Sequence, residues 1–139
     1  MRILGLDVGT KTVGVALSDP LRMTAQPVET IRYQTVSQAW KRLAEIIKSQ
    51  TVRQIVVGLP LNMNGSEGPQ SEKVRKFMDD FLKWAKNINV TITFWDERLS
   101  TVGAERVLLE ADLSRAKRAK VIDKMAAVFI LQGYLDSLG

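Results

Sequence analysis

The pattern of apolar positions predicts that the chain begins with a β-hairpin. Residues 2–8 and 13–18 are apolar runs compatible with strands, and the four residues between them, GTKT, have the composition of a tight turn. A third strand is predicted near residues 26–31, where Pro20 and Pro27 fit the connecting turn or an edge position.

From residue 36 onward, apolar residues recur at helical spacing in segments that alternate with further strands. The predicted elements are, in order, a helix over 36–49, a strand over 53–59, a helix over 71–87, a strand over 90–95, a helix capped by Ser100 or Thr101, and a helix over about 118–138. Helices that alternate with strands cover both faces of a sheet. We therefore expect an α/β fold in which a mixed five-stranded sheet has helices on both faces, and one domain that spans residues 1–139.

The composition excludes several kinds of catalytic site. The 139 residues include no cysteine and no histidine, so disulfides, zinc–thiolate sites and a Ser-His-Asp triad are ruled out. Any catalyst has to work with carboxylates, hydroxyls, lysines or a bound metal ion. The hydrophobic fraction of 45% and the charged fraction of 25% are those of an ordinary globular protein.

The charge of the chain indicates the kind of partner it binds. A net charge of +5 and an isoelectric point of about 9.7 favour an anionic partner such as nucleic acid. The N-terminal apolar run is too short for a signal sequence and contains Asp7, and no stretch approaches the length of a membrane span. We therefore expect a cytoplasmic protein with no membrane partner.

Three acidic residues lie at positions where a carboxylate is costly. Asp7 interrupts an apolar strand, where a buried charge requires a cation or hydrogen bonds. Glu97 follows the last predicted strand, and open α/β sheets bind ligands beyond the carboxyl ends of their strands. Asp123 lies on the apolar face of the last helix, since the residues three, four and seven positions later are apolar.

Each acid also has a purely structural interpretation. Asp7 is able to bond loop amides, Glu97 to pair with Arg98, and Asp123 to complement the helix dipole. Asp96 is an immediate alternative to Glu97, because strand alternation sends the two side chains to opposite faces. Three acids at one edge of a sheet nevertheless suit Mg²⁺ or Mn²⁺, which prefer oxygen ligands and support phosphodiester hydrolysis.

Basic residues just before Asp123 predict a surface that binds the phosphates of nucleic acid. The members of this basic cluster are Arg115, Lys117, Arg118 and Lys120. Lys11 in the first hairpin and Arg98 beside Glu97 are further candidates for nucleic-acid binding, although Arg98 is equally able to pair with Asp96. The alternative interpretation of the cluster is a solvated entry to the helix.

The residues alone do not decide the role of two segments. Residues 58–69 contain too little apolar periodicity for a helix or strand, and such a loop is either functional or a plain connection. The motif Asp7-x-Gly9-Thr10 fits a hairpin turn, and it also fits a Gly-rich turn that cradles nucleotide phosphates with backbone amides.

Four stretches of the chain resemble the YqgF/RuvX family, which is described as Holliday junction resolvases and as pre-16S rRNA nucleases. They are LGLDVGTKTVGVALSD (residues 4–19), VVGLPLNMNGSEGP (56–69), DERLST (96–101) and KVIDKMAAVFILQGYLD (120–136). The resemblance implies an RNase H-like fold and metal-binding, catalytic acids at Asp7, Glu97 and Asp123, and it favours Glu97 over Asp96. The family commonly has Asp and Thr where this chain has Asn64 and Ser66, which leaves the role of the loop open.

The residues and the resemblance together predict a metal-dependent nuclease. The expected substrate is the ends of precursor 16S rRNA, with ribosomal particles as a further partner, or else branched DNA in recombination. Two other classes are retained: a phosphate-binding module of the actin or sugar-kinase kind, which the length disfavours, and a non-catalytic RNA-binding protein. The sequence does not choose between a monomer and a homodimer.

Overall fold

The computed structural model of the protein describes the backbone of residues 1–99 and 115–139 and the side chains of residues 1–99 and 125–139. In that part of the chain the elements are β1 (Arg2–Val8), β2 (Thr12–Ser18), β3 (Ala25–Arg32), α1 (Val36–Ser49), β4 (Val52–Leu59), α2 (Pro69–Trp84), β5 (Thr91–Asp96), a 3₁₀ turn (Glu97–Leu99) and α3 (Arg115–Leu138). The predicted helix that begins at Ser100 or Thr101 lies outside the described residues.

The five strands form one mixed sheet in the order β3-β2-β1-β4-β5. The pairs β1/β2 and β2/β3 are antiparallel, whereas β1/β4 and β4/β5 are parallel. The predicted mixed five-stranded sheet is therefore confirmed. Strand β1 is the central strand. It pairs with β2 of the antiparallel half on one side and with β4 of the parallel half on the other.

Helices cover both faces of this sheet, as predicted. One hydrophobic core joins α1 and α2 to side chains such as Leu4, Leu6 and Val57, and a second core joins α3 to Ile3 and Val56. Because neighbouring side chains of a strand point to opposite faces, consecutive residues of β1 and β4 enter different cores. The central strands are thus buried on both sides, which explains their nearly continuous apolar sequences.

The bounds of several elements differ from the predicted ones for local reasons. Helix α2 begins at Pro69 instead of residue 71, because proline is well suited to the first helical turn, and it ends at Trp84, where the Ala85 amide bonds the Phe81 carbonyl at 2.8 Å. Helix α3 begins at residue 115 instead of 118. The predicted edge position of Pro27 is confirmed, since β3 is an edge strand.

None of the helices within the described residues is long and apolar enough to cross a membrane.

Helix α3 packs directly on the backbone of β1 because a glycine of that strand faces it. A Cβ atom placed on Gly5 would lie 2.7 Å from Cβ of Leu131 and 3.1 Å from the Ala127 carbonyl oxygen. Neither atom is the mobile end of a flexible side chain. A side chain at this position would therefore push the helix away from the sheet.

We expect Gly5→Ala to destabilise the protein by about 1–3 kcal/mol, the usual cost of overpacking a core. Urea denaturation measures this as a lower midpoint at an unchanged slope. The matched control is Gly139→Ala, because a Cβ there would meet nothing within 4 Å. Equal midpoints for the two variants would contradict the close packing of α3 on Gly5.

Candidate active site

The carboxyl ends of the three parallel strands meet at one edge of the sheet, which we call the acid edge. Strand β1 ends one residue after Asp7, and β5 ends immediately before Glu97. Strand β4, which lies between them, ends at Leu59. The fold therefore brings Asp7 and Glu97 to the same edge, although 90 residues of sequence separate them.

Asp7 is half-buried and belongs to the face of the sheet that carries α3. Ile3 packs in the core beneath α3, and Gly5 faces Leu131 of that helix. Because side chains of a strand alternate, Asp7 follows Ile3 and Gly5 on this face. Its neighbour in the parallel ladder is Gly58, since the preceding residues Leu6 and Val57 are paired.

Glu97 lies on the same face, directly over Gly58. A Cβ atom placed on Gly58 would lie 2.8 Å from Oε1 of Glu97 and 3.1 Å from its Cγ, and 2.5 Å from Cδ1 of Ile130 in α3. The space above Gly58 is therefore occupied by the Glu97 side chain. Asp7 and Glu97 thus flank one glycine of the middle strand, and both have interactions within the fold.

The backbone of α3 approaches the acid edge with its N-terminal half. Gln132, in the C-terminal half, accepts a bond from the Ala25 amide at 2.9 Å and donates to the Met23 carbonyl at 3.1 Å, at the opposite edge. Position 123 precedes Ala127 by about one turn, or roughly 6 Å along the axis. This backbone position is compatible with the predicted convergence of three acids.

The side chain of Asp123 lies outside the described side chains, so the three-acid site stays a prediction. Among the side chains that the structure does describe, no group of three acidic residues is arranged to hold a metal ion. The carboxylates of Asp7 and Glu97 are nevertheless hard oxygen donors on one face of one edge. This donor set suits Mg²⁺ or Mn²⁺ and is poorly suited to soft metals.

Asp96, the alternative to Glu97, has a structural partner. Its carboxylate accepts bonds from Nε of Arg98 at 3.1 Å, from Nη2 at 2.8 Å and from the Arg98 amide at 2.9 Å. The Arg98 side chain hence lowers the pKa of Asp96 below its ordinary value, and the backbone bond acts in the same direction. Asp96 therefore remains charged as half of an ion pair that closes the 3₁₀ turn carrying Glu97.

Arg98 also binds the loop between β4 and α2. Its Nη1 donates to the carbonyl of Met63 at 3.0 Å, and its guanidinium lies against Gly65, whose φ of +86° only glycine adopts easily. Since this link spans 35 residues and ends on a main-chain carbonyl, no local sequence pattern indicates it. Arg98 thus links the loop to the turn that carries Glu97. Its contact with nucleic acid stays a prediction.

The loop itself is built from short polar bonds. The Asn62 amide bonds the Ser66 carbonyl at 2.9 Å, and Asn64 Oδ1 accepts from both the amide of Ser66, at 3.0 Å, and its hydroxyl, at 2.6 Å. Asn62 Nδ2 donates to the Ser66 hydroxyl at 3.0 Å. Asn64 and Ser66, the two departures from the family pattern, therefore bond each other and keep the turn closed.

Of the predicted nucleic-acid-binding residues, Lys11 and Arg98 are the two whose side chains the structure describes. Lys11 is exposed at the tip of the β1–β2 hairpin, four residues after Asp7. The basic cluster, Arg115, Lys117, Arg118 and Lys120, occupies the first two turns of α3, and its side chains lie outside those described. The backbone places these turns at the end of α3 nearer the acid edge, so a role in binding remains a prediction.

Sequence comparison relates the chain to one family over nearly its full length. The family model described as "RuvX: Holliday junction resolvase" matches residues 1–137. A protein of Desulforamulus reducens named "Putative pre-16S rRNA nuclease" is 59% identical over 137 residues, covering 99% of this chain and 98% of its own. A protein of Clostridium tetani with the same name is 56% identical over 138 residues, with the same coverage. The resemblance read from the four motifs is confirmed.

Comparison with solved structures confirms the RNase H-like fold. The structure of Thermus thermophilus RuvC in complex with Holliday junction substrate has a TM-score of 0.63 at 14% identity, covering 100% of this chain and 96% of that one. The fowlpox virus Holliday junction resolvase has a TM-score of 0.53 at 16% identity, covering 99% of each chain. At these identities the likeness concerns the fold alone.

We expect Arg98→Gln to raise the pKa of the Asp96 carboxyl toward its ordinary value, because the main cause of the lowered pKa is then absent. Carboxyl-carbon NMR titration measures the change. A lowered folded-state pKa stabilises the fold above the pKa of the unfolded carboxyl, so the stability difference between wild type and variant should diminish as the pH falls through the folded-state pKa. Lys76→Gln, which removes a cation bonded to Asp80, is the control and should leave Asp96 unchanged.

Proposed function

The chain belongs to the RuvX family, and on this premise we propose that it is a metal-dependent nuclease that hydrolyses phosphodiester bonds with Asp7, Glu97 and Asp123. The observation that carries the proposal is the placement of Asp7 and Glu97 on one face of the acid edge, on either side of Gly58. Asp7 and Glu97 are far apart in the sequence, so local structure does not bring them together. They share a face because β1 pairs with β4 and β4 pairs with β5.

The residues of the proposed site have distinct tasks. Asp7 is held by the central strand, and Glu97 by the turn that the Asp96–Arg98 ion pair closes. These two carboxylates and that of Asp123 would hold Mg²⁺ or Mn²⁺. When bound, such an ion polarises the phosphoryl oxygen and lowers the pKa of a water ligand.

The chain has no histidine, so its carboxylates are the groups able to orient an attacking water and to accept its proton at neutral pH. The basic cluster and Lys11 would bind phosphates on either side of the scissile bond. Their positive charge attracts the substrate, and their effect weakens as salt is added. One domain spanning residues 1–139 would carry all of these groups.

Two observations bear on the substrate. Relatives that are 56–59% identical are named for pre-16S rRNA, which favours processing of the ends of precursor 16S rRNA. The family model is named for Holliday junctions and the fold is that of RuvC, which favours branched DNA as the second candidate. We take precursor rRNA as the substrate because the relatives match at 56–59% identity, whereas RuvC shares 14%.

We expect Asp7→Asn, Glu97→Gln and Asp123→Asn each to reduce cleavage by about 10²-fold or more, as when a group that stabilises transition-state charge is removed. Labelled precursor 16S rRNA and a four-way DNA junction are incubated in parallel with Mg²⁺, Mn²⁺ or chelator. Asp136→Asn, near the other end of α3, is the matched control, because its carboxylate bonds Gln132 at 2.9 Å.

Cleavage that requires both the metal and the three acids would establish the nuclease, and the substrate that is cut would decide between RNA and DNA. Binding of RNA without cleavage by the wild-type protein would contradict the proposal and favour a non-catalytic RNA-binding protein. Cleavage that persists in Asp7→Asn would contradict the assignment of the site.

We expect Gly58→Ala to reduce cleavage by about 10²-fold, because a new methyl group 2.8 Å from Oε1 of Glu97 displaces that carboxylate. The methyl also meets Cδ1 of Ile130, so the comparison is made with the double variant Gly58→Ala/Ile130→Val, which lacks that atom. If the double variant recovers its urea midpoint but not its activity, displacement of Glu97 is the cause. Full activity in Gly58→Ala would contradict the placement of Glu97.

A further inference from the structure

A small cleft lies beside the acid edge, on the face of the sheet opposite Asp7 and Glu97. It encloses about 150 Å³ between the β1–β2 hairpin and the first turns of α2. The hairpin contributes Val8, Gly9 and Thr10, α2 contributes Gln70, Lys73, Val74 and Phe77, and Tyr33 closes one side. The motif Asp7-x-Gly9-Thr10 thus leads from the proposed site on one face into this cleft on the other.

Tyr33 holds the hairpin wall of the cleft in place. Its hydroxyl lies 3.1 Å from the Thr10 carbonyl and 3.4 Å from that of Gly9, and its amide donates to the Lys11 carbonyl at 3.1 Å. Burial raises the pKa of the Tyr33 hydroxyl from an ordinary value that already lies well above neutrality, so the group is protonated and donates at neutral pH. The Gly9 amide bonds the Thr12 carbonyl at 2.8 Å. These bonds join the turn of the hairpin to the residue that follows β3.

The cleft is positively charged because of Lys73. None of the residues that line it is acidic. The next two cations of α2 are neutralised, since Arg75 pairs with Glu67 and Lys76 with Asp80. Lys73, by contrast, is exposed and pairs with no acid among the described residues. An ammonium group on an otherwise uncharged, partly apolar cleft is suited to a phosphate joined to an apolar or aromatic group.

We propose that this cleft is a second binding site for the substrate strand, in which Lys73 binds a phosphodiester group close to the scissile one and the apolar floor contacts the attached nucleoside. The proposal rests on the proposed nuclease function. Thr10 comes three positions after Asp7, so the hairpin wall of the cleft lies within about 11 Å of Asp7. A strand that crosses the acid edge would therefore present one phosphate to the carboxylates and a nearby one to Lys73.

The first experiment tests whether the cleft binds a phosphate group, and it does not depend on cleavage. The ¹⁵N-labelled wild-type protein is titrated with adenosine 5′-monophosphate and, separately, with adenosine, while backbone amide shifts are recorded by NMR. We expect the monophosphate to shift the amides of Gly9, Thr10 and Lys73 more than adenosine does, and Lys73→Ala to remove the difference. Equal shifts with the two ligands, or none at these amides, would overturn the proposal.

The role in strand binding is then measured in Asp7→Asn protein, where cleavage does not obscure the result. A fluorescent single-stranded RNA is titrated at several salt concentrations. We expect Lys73→Ala to weaken binding several-fold and to reduce the salt dependence by about one phosphate contact, with Lys73→Arg restoring most of the affinity. The control is Lys83→Ala, which removes the same charge about 15 Å farther along α2.

The outcomes separate this proposal from the proposed function. Equal affinities for Lys73→Ala and Lys83→Ala would overturn the second site while leaving a nuclease intact. A monophosphate effect at the cleft, in a protein that cuts neither RNA nor DNA, would sustain the phosphate site and overturn the nuclease.

Discussion

The close approach of α3 to the sheet is the constraint on which the rest of the structure depends. It is possible because Gly5 and Gly58 leave no side chain between the helix and the two central strands. The same absence of a side chain at Gly58 makes room for Glu97. Packing and the candidate chemistry therefore share one requirement, which is that the middle of the parallel sheet carries glycine on the face toward α3.

Much of this architecture could be predicted from the sequence. Strand and helix periods differ strongly, so the order of the elements and the mixed sheet followed from local pattern, and Asp7 was conspicuous because it interrupts an apolar strand. The link from Arg98 to Met63 could not be predicted, because it joins residues 35 positions apart through a carbonyl that any residue supplies. The role of Gly58 was equally hidden, since it follows from strand pairing and not from its neighbours in sequence.

The two faces of the acid edge differ in what supports them. On the side of α3, the carboxylates of Asp7 and Glu97 lie over the glycine of β4. On the other side, the hairpin rests on Tyr33 and faces the first turns of α2. The edge thus carries negative groups on one face and a lysine on the other. The two faces of the edge differ in the sign of their charge, which is the kind of asymmetry that orients a charged partner.

The parallel pairing of β1 with β4 also governs when the protein acquires its site during synthesis. Asp7 belongs to the hairpin that precedes the other elements of the parallel half in the chain, whereas Glu97 follows β5, which pairs with β4. Contacts so distant in sequence form only after the intervening chain is complete. The acid edge can therefore assemble only once β4 and β5 have been synthesised, because before that Asp7 has no neighbouring strand that carries Gly58 and no turn that carries Glu97.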